Sequence, residues 1–199
     1  VIASHFALSR EPIASKDGRP FGFELWYRWS VPPDACPSTI AAARRRWEAL
    51  AAPGFKRCFG DSQVFIEVDE NLLMEKLALL LPPGQGVAAI PASLKLTPAL
   101  IRVLNELRRS AIGIALDDFR FQPHAVSLLR YAHYVKVDVK CGADALRDIV
   151  ESLRPYNLPL IAANVRTHDD LTRCWDLGFH LFQGYHQVDR EAGMRALLV

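Results

Sequence analysis

Ile112-Gly113-Ile114-Ala115-Leu116-Asp117-Asp118-Phe119 decides the fold. A run of apolar and small residues leads straight into two adjacent carboxylates. Such a run predicts a strand buried on both faces, as in a parallel sheet. The carboxylates then stand where the strand ends, and in barrels of alternating strands and helices the carboxyl ends of the strands collect the chemistry. Adjacent like charges cost energy unless a cation or nearby Lys or Arg offsets them. A plainer reading makes Asp118 a turn cap and leaves Asp117 solvated.

Working outward, the same alternation recurs. His5 to Arg10 and Phe21 to Arg28 read as strands joined by Ser15-Lys16-Asp17-Gly18-Arg19, whose Asp-Gly predicts an antiparallel hairpin. A Pro-rich loop leads to a helix over Thr39 to Ala51, with Arg44, Arg45 and Arg46 as a solvated face. Val64 to Val68 and Val87 to Ile90 read as strands around an apolar helix from Asn71 to Leu81. Thr97-Pro98 is a cap followed by Pro at the first helical position, and Leu100, Val103, Leu104 and Leu107 form the apolar stripe. Beyond Asp118 come a helix over His124 to Arg130, a strand from Tyr134 to Val139, a helix over Gly142 to Arg154 and a strand from Leu158 to Ala163. A capping box at Thr167 with Asp170 opens a helix ending at Gly178. Phe179 to Phe182 and Asp189 to Leu198 complete the series. Eight strands, each from the second onward followed by helix, favour a closed barrel or a doubly wound sheet. No sequence repeat is apparent.

The chain has 199 residues, half of them hydrophobic, and a net charge of +2. That is one domain with ample core and no bias toward a nucleic-acid polymer or an anionic membrane. No apolar run approaches the roughly 20 residues of a membrane span. The absence of an initiator Met and of a signal-peptide pattern suggests a piece of a longer, cytoplasmic protein. Cys36, Cys58, Cys141 and Cys174 are scattered and read as reduced and structural. The six histidines are isolated in sequence and receive no catalytic or ligand role.

In a barrel, one rim would gather Glu24, Glu67, Ala89, Asp117, Asp118, Lys136, Asp138, Ala163 and Gln183. Three carboxylates and a Lys suit magnesium or calcium, or equally an ion-pair network. These motifs resemble the EAL domain, the bacterial domain that hydrolyses cyclic di-GMP. Glu24-Leu25-Trp26-Tyr27-Arg28-Trp29 is similar to the signature E-A-L-x-R-W, Leu116-Asp117-Asp118-Phe119 matches L-D-D-F, Lys136-Val137-Asp138 matches K-I-D, and Phe182-Gln183-Gly184-Tyr185 matches the closing Q-G-Y. Arg10-Glu11-Pro12-Ile13 and the short length resemble the subgroup often fused to an HDOD domain.

The resemblance implies a TIM-type (β/α)8 barrel of the EAL type with an antiparallel first strand, spanning residues 1–199. It also implies two metal ions, Mg2+ or Mn2+, that activate water against a phosphodiester. The chain keeps part of the required set: Glu24, Asp117, Asp118, Lys136 and Gln183 match. The family's Asn is Glu67 here, a ligating Glu is Ala89, the A-E-G-V-E stretch is Ala162-Ala163-Asn164-Val165-Arg166, and the early Gln is Glu11. Alanine cannot ligate a metal, and Arg166 brings a positive charge where the family has a carboxylate. The expectation is therefore a degenerate domain, with no cofactor, no functional catalytic residue and the matching residues as remnants. Glu24, Glu67 and Asp117 remain as a weak metal set. A regulatory role through a signalling protein or flanking domain is the first expectation, with Trp26, Trp29, Trp47 or Trp175 as anchors and a homodimer as one arrangement. The alternatives are a non-hydrolysing cyclic di-GMP receptor using Arg28, Asp118 and Leu25, and a weak phosphodiesterase.

Overall fold

The computed structural model describes residues 6–29 and 55–184. The expected helices over Thr39 to Ala51 and Asp189 to Leu198, and Trp47, lie outside them. Eight strands close into a barrel in sequence order. β1 (Phe6–Ser15) and β2 (Pro20–Trp29) form the antiparallel hairpin that Asp17-Gly18 predicts. Ser15 N donates to Arg19 O and Gly18 N to Ser15 O, both at 2.9 Å, to close the turn. β3 (Gln63–Glu67), β4 (Gly86–Pro91), β5 (Gly113–Asp117), β6 (Tyr134–Asp138), β7 (Leu160–Ala163) and β8 (Leu181–Gln183) follow. All neighbours from β2 to β8 are parallel, and β8 closes on β1 antiparallel. The first strand therefore runs against both neighbours.

Six helices lie among the described residues: α1 (Phe55–Phe59), α2 (Glu70–Met74), α3 (Pro98–Arg109), α4 (Pro123–Leu128), α5 (Ala143–Leu153) and α6 (His168–Leu177). Thr97 caps α3, its hydroxyl accepting from Leu100 N at 3.1 Å with Pro98 behind it. Thr167 and Asp170 form the expected capping box on α6, and Gly178 ends it with φ 93°. That left-handed backbone is the conformation a glycine adopts without a Cβ penalty.

Two expectations need correction, and one short helix adds to them. The first strand is longer than His5 to Arg10, because its hairpin pairing with β2 runs on to the turn. The continuous helix from Asn71 to Leu81 breaks: α2 stops after Met74, Lys76 turns left-handed with φ 58°, and Leu77–Leu80 forms a 3-10 turn. The break lets Leu77 and Ala78 bury completely while the Lys76 ammonium reaches Glu106 at 2.8 Å. The short helix α1 was not anticipated, since its five residues offer too few positions for periodicity to show.

Alternation along the strands divides the core in two. Inside the barrel, Ile13, Phe65, Val87, Ala89, Ala115, Ile161 and Leu181 form an apolar plug. Tyr134 meets Phe65 and Phe21 edge-on at 5.3 and 5.8 Å beside it. Outside, residues such as Leu25, Ile66, Ile90, Leu116 and Val137 pack in the larger core cluster with helix residues. The plug fills the channel, and among the described residues the buried polar side chains Glu24, Lys136 and Gln183 stand beside it on β2, β6 and β8.

Candidate functional site at the carboxyl rim

Glu24, Lys136 and Gln183 are the buried polar side chains of the described residues, at 0, 3 and 3% exposure. They come from three strands, and the alternation that places Glu24 inward places Leu25 outward. Lys136 Nζ lies 2.6 Å from Glu24 Oε1 and 3.2 Å from Asp117 Oδ1. Burial alone would lower the pKa of this ammonium. The two carboxylates outweigh it and hold the Lys136 pKa above its ordinary value.

The antiparallel register sets Glu11 of β1 directly opposite Glu24 of β2. Facing like charges destabilise a sheet. Gln183 resolves the conflict: its Nε2 donates to Glu11 Oε2 at 2.8 Å and also to Glu24 Oε2. Gln183 Oε1 is buried without a partner. Glu24 thus has one oxygen on an ammonium and the other on an amide.

Asp117 turns its Oδ1 back onto Asp118 N at 3.0 Å. Asp118 has a left-handed backbone, φ 47°, and its side chain leaves the network for solvent, 3.6 Å from Arg120. The two adjacent aspartates therefore separate, one on Lys136 and one on the open lip. Glu67, also open to solvent, has its pKa raised first by partial desolvation and then by the charges of Asp117 and Glu24. Asp138 is committed to structure: it accepts from Lys140 N at 2.8 Å and from Asn164 Nδ2 at 3.0 Å.

Two positions on the neighbouring strands carry no donor. Ala89 is completely buried in the plug, and Ala163 stands level with Asp138 in the β6–β7 register. Arg166 is exposed beyond it. Among the described residues, no three His, Cys, Asp or Glu side chains converge as a metal-holding group. Leu25 is 2% exposed and packs in the outer core, so its side chain does not line the rim. Arg28 pairs with Ala7 along the hairpin.

Glu11 is the rim residue that sequence reasoning used only as a departure. Its partner Gln183 lies 172 positions away, so no local pattern links them. Of the four tryptophans, Trp26 and Trp29 lie on β2, and Trp175 is 42% exposed, stacks on Phe182 and lies under the Lys16 ammonium at 5.3 Å. Cys58, Cys141 and Cys174 are free thiols, and burial pushes Cys174 up to about 12. No helix among the described residues is long and apolar enough to cross a membrane.

An eight-stranded βα barrel with a reversed first strand and a charged network at its carboxyl rim defines the class. The family model "EAL domain" matches residues 57–189, and the chain belongs to the EAL domain family. The matched stretch contains Asp117, Lys136 and Gln183 and begins after Glu24. The chain is 28% identical over 185 residues to the cyclic di-GMP phosphodiesterase CdgJ of Vibrio cholerae, covering 89% of this chain and 43% of that protein. It is 27% identical over 186 residues to the uncharacterized protein YuxH of Bacillus subtilis, covering 89% and 46%. It thus spans less than half the length of these relatives. Among solved structures, the Bacillus subtilis YkuI protein, with an EAL domain in complex with cyclic di-GMP and calcium, superposes with a TM-score of 0.73 at 19% identity, over 92% of this chain and 55% of that one. The PaMucR phosphodiesterase in complex with cyclic di-GMP superposes at 0.69 and 19% identity, over 90 and 94%.

Proposed function

We propose that this domain serves bacterial cyclic di-GMP signalling as a regulatory module that binds protein and has no useful phosphodiesterase activity. One observation carries the reading: Ala89 and Ala163 stand where the resemblance implies ligating carboxylates, on a rim where Lys136 bridges Glu24 and Asp117 at 2.6 and 3.2 Å. The residues around it do not fit a two-metal centre. Ala89 and Ala163 offer no oxygen. Two-metal catalysis of phosphodiester cleavage holds both attacking and leaving oxygens, and losing donors for either ion disables it. Trp175 with Lys16, on the flank of α6, is an anchor of the kind protein partners use.

A second reading, a receptor that binds cyclic di-GMP without cleaving it, is favoured by the exposed Arg120 guanidinium on the lip. Glu11 and Glu67 add negative charge against a dianionic nucleotide.

One titration separates these readings. The chain is mixed with labelled cyclic di-GMP and Mg2+ or Mn2+, and both retention and linear product are measured. The expected result is neither, followed by retention of a protein partner that is lost on Trp175→Ala. Binding without product selects the receptor. Linear product overturns the degenerate reading and assigns Glu24, Glu67 and Asp117 to a working metal.

A further inference from the structure

The barrel contains a repeat that the sequence hides. From α3 to the end of β8 the chain passes twice through a helix, a left-handed residue, a strand, a second left-handed residue, a helix, a histidine and a strand. Ala111 and Asn157 are the first left-handed residues, with φ 55 and 49°; Asp118 and Asn164 are the second, with φ 47 and 63°. Phe119 N donates to Lys136 O and Val165 N to Gln183 O, both at 3.0 Å.

The two histidines hold equivalent places and make equivalent bonds. His133 N donates to Ile114 O at 2.8 Å, and His133 Nδ1 accepts from Ile114 N at 3.1 Å. His180 N donates to Leu160 O at 3.1 Å, and His180 Nδ1 accepts from Leu160 N at 3.2 Å. Each imidazole thus completes a two-point grip on one residue of the preceding strand. An Nδ1 that accepts carries no proton, so both rings are neutral with the proton on Nε2.

We propose that His133 and His180 are a matched pair of acid-sensitive clamps that hold β5 on β6 and β7 on β8, and that protonation of the rings opens them. The clamps sit three residues before the rim on every strand they join: Ile114 before Asp117, His133 before Lys136, Leu160 before Ala163 and His180 before Gln183. They therefore fix the register of the strands that build the charged network.

The surroundings favour the neutral rings. His133 faces Arg108 on α3, and the cavity beside it, lined in part by Gln63, Arg108 and Tyr134, presents no carboxylate. His180 faces Lys16 of the β1–β2 turn, and its cavity presents Arg154 of the turn after α5 and Asp176 of α6. Both histidines titrate below their ordinary value, first through burial and then through Arg108 or Lys16. A histidine with a depressed folded pKa contributes stability that is complete above the unfolded value, about 6.5, and is lost as pH falls below it.

The test uses the 199-residue chain. Nitrogen-detected titration of the imidazoles from pH 7.5 to 4.5 should show both rings as the Nε2–H tautomer at neutral pH, with midpoints below about 6.5. The amide signals of Ile114 and Leu160 should move at those midpoints. Midpoints at or above 6.5, or amides that ignore them, would overturn the clamp. Asparagine accepts at any pH, so the urea-unfolding constant of His133→Asn/His180→Asn should stay flat between pH 7.5 and 5. In the wild type it should rise about tenfold, per histidine, for each pH unit separating the folded and unfolded midpoints. An equal rise in the variant refutes the proposal.

Discussion

In the β5–β6 pair the strand ends carry Asp117, Asp118 and Lys136; in the β7–β8 pair the same places carry Ala163, Asn164 and Gln183. The backbone is alike in both, down to the left-handed residue after each odd strand and the amide that crosses back to the even one. One pair supplies charge and the other supplies an amide. The scaffold does not require charge at these places, because the neutral pair holds the same turn. The charges of the first pair instead answer Glu24, which arrives buried from β2 and needs a cation.

The largest test of that difference is Lys136→Met. It leaves Glu24 buried without its counter-charge and should cost about 3–5 kcal/mol in urea unfolding at neutral pH. Glu24→Gln in the same background should recover part of the loss. Gln183→Leu should cost less, because it removes an amide and not a charge. The pKa of Lys136 is raised, so its contribution is complete below the unfolded value of about 10.4 and lost as pH rises through the folded one. Wild-type stability should therefore fall above about pH 10 more steeply than that of the Met variant.

Gly184 follows Gln183 where Val137 follows Lys136, and only the former is left-handed, with φ 98°. A Cβ at Gly184 would stand 2.8 Å from Val165 O. Gly184→Ala should destabilise by about 1–3 kcal/mol through strain, measured by thermal unfolding. The helices after the two odd strands differ more mildly. Thr167 and Asp170 cap α6 with reciprocal bonds, whereas Gln122 gives α4 no side-chain cap. Thr167→Ala should cost about 1 kcal/mol and Gln122→Ala close to none, read from the midpoint of helix loss by circular dichroism.

Much of this was legible in the chain. Alternating apolar runs and helix signals marked the parallel strands, and Asp17-Gly18 marked the one reversal. Motifs at strand ends placed Glu24, Asp117, Lys136 and Gln183 on one rim, which the structure brings together as a network. Three things were not legible. The link between Glu11 and Gln183 depends on barrel closure, which no local pattern encodes. The break at Lys76 follows from burying Leu77 against neighbours distant in sequence. The repeated histidines looked isolated because each pairs across a strand boundary; the signal was a His three residues before both Lys136 and Gln183.

Lys136 gives the rim a consequence of its own. A diffusible ion is held at an occupancy set by its concentration, and a chelator strips it. The ammonium on β6 is covalently tethered, so dilution and chelation leave its balance with Glu24 untouched. The neutralisation of that buried carboxylate is thereby independent of the cell's supply of divalent ions.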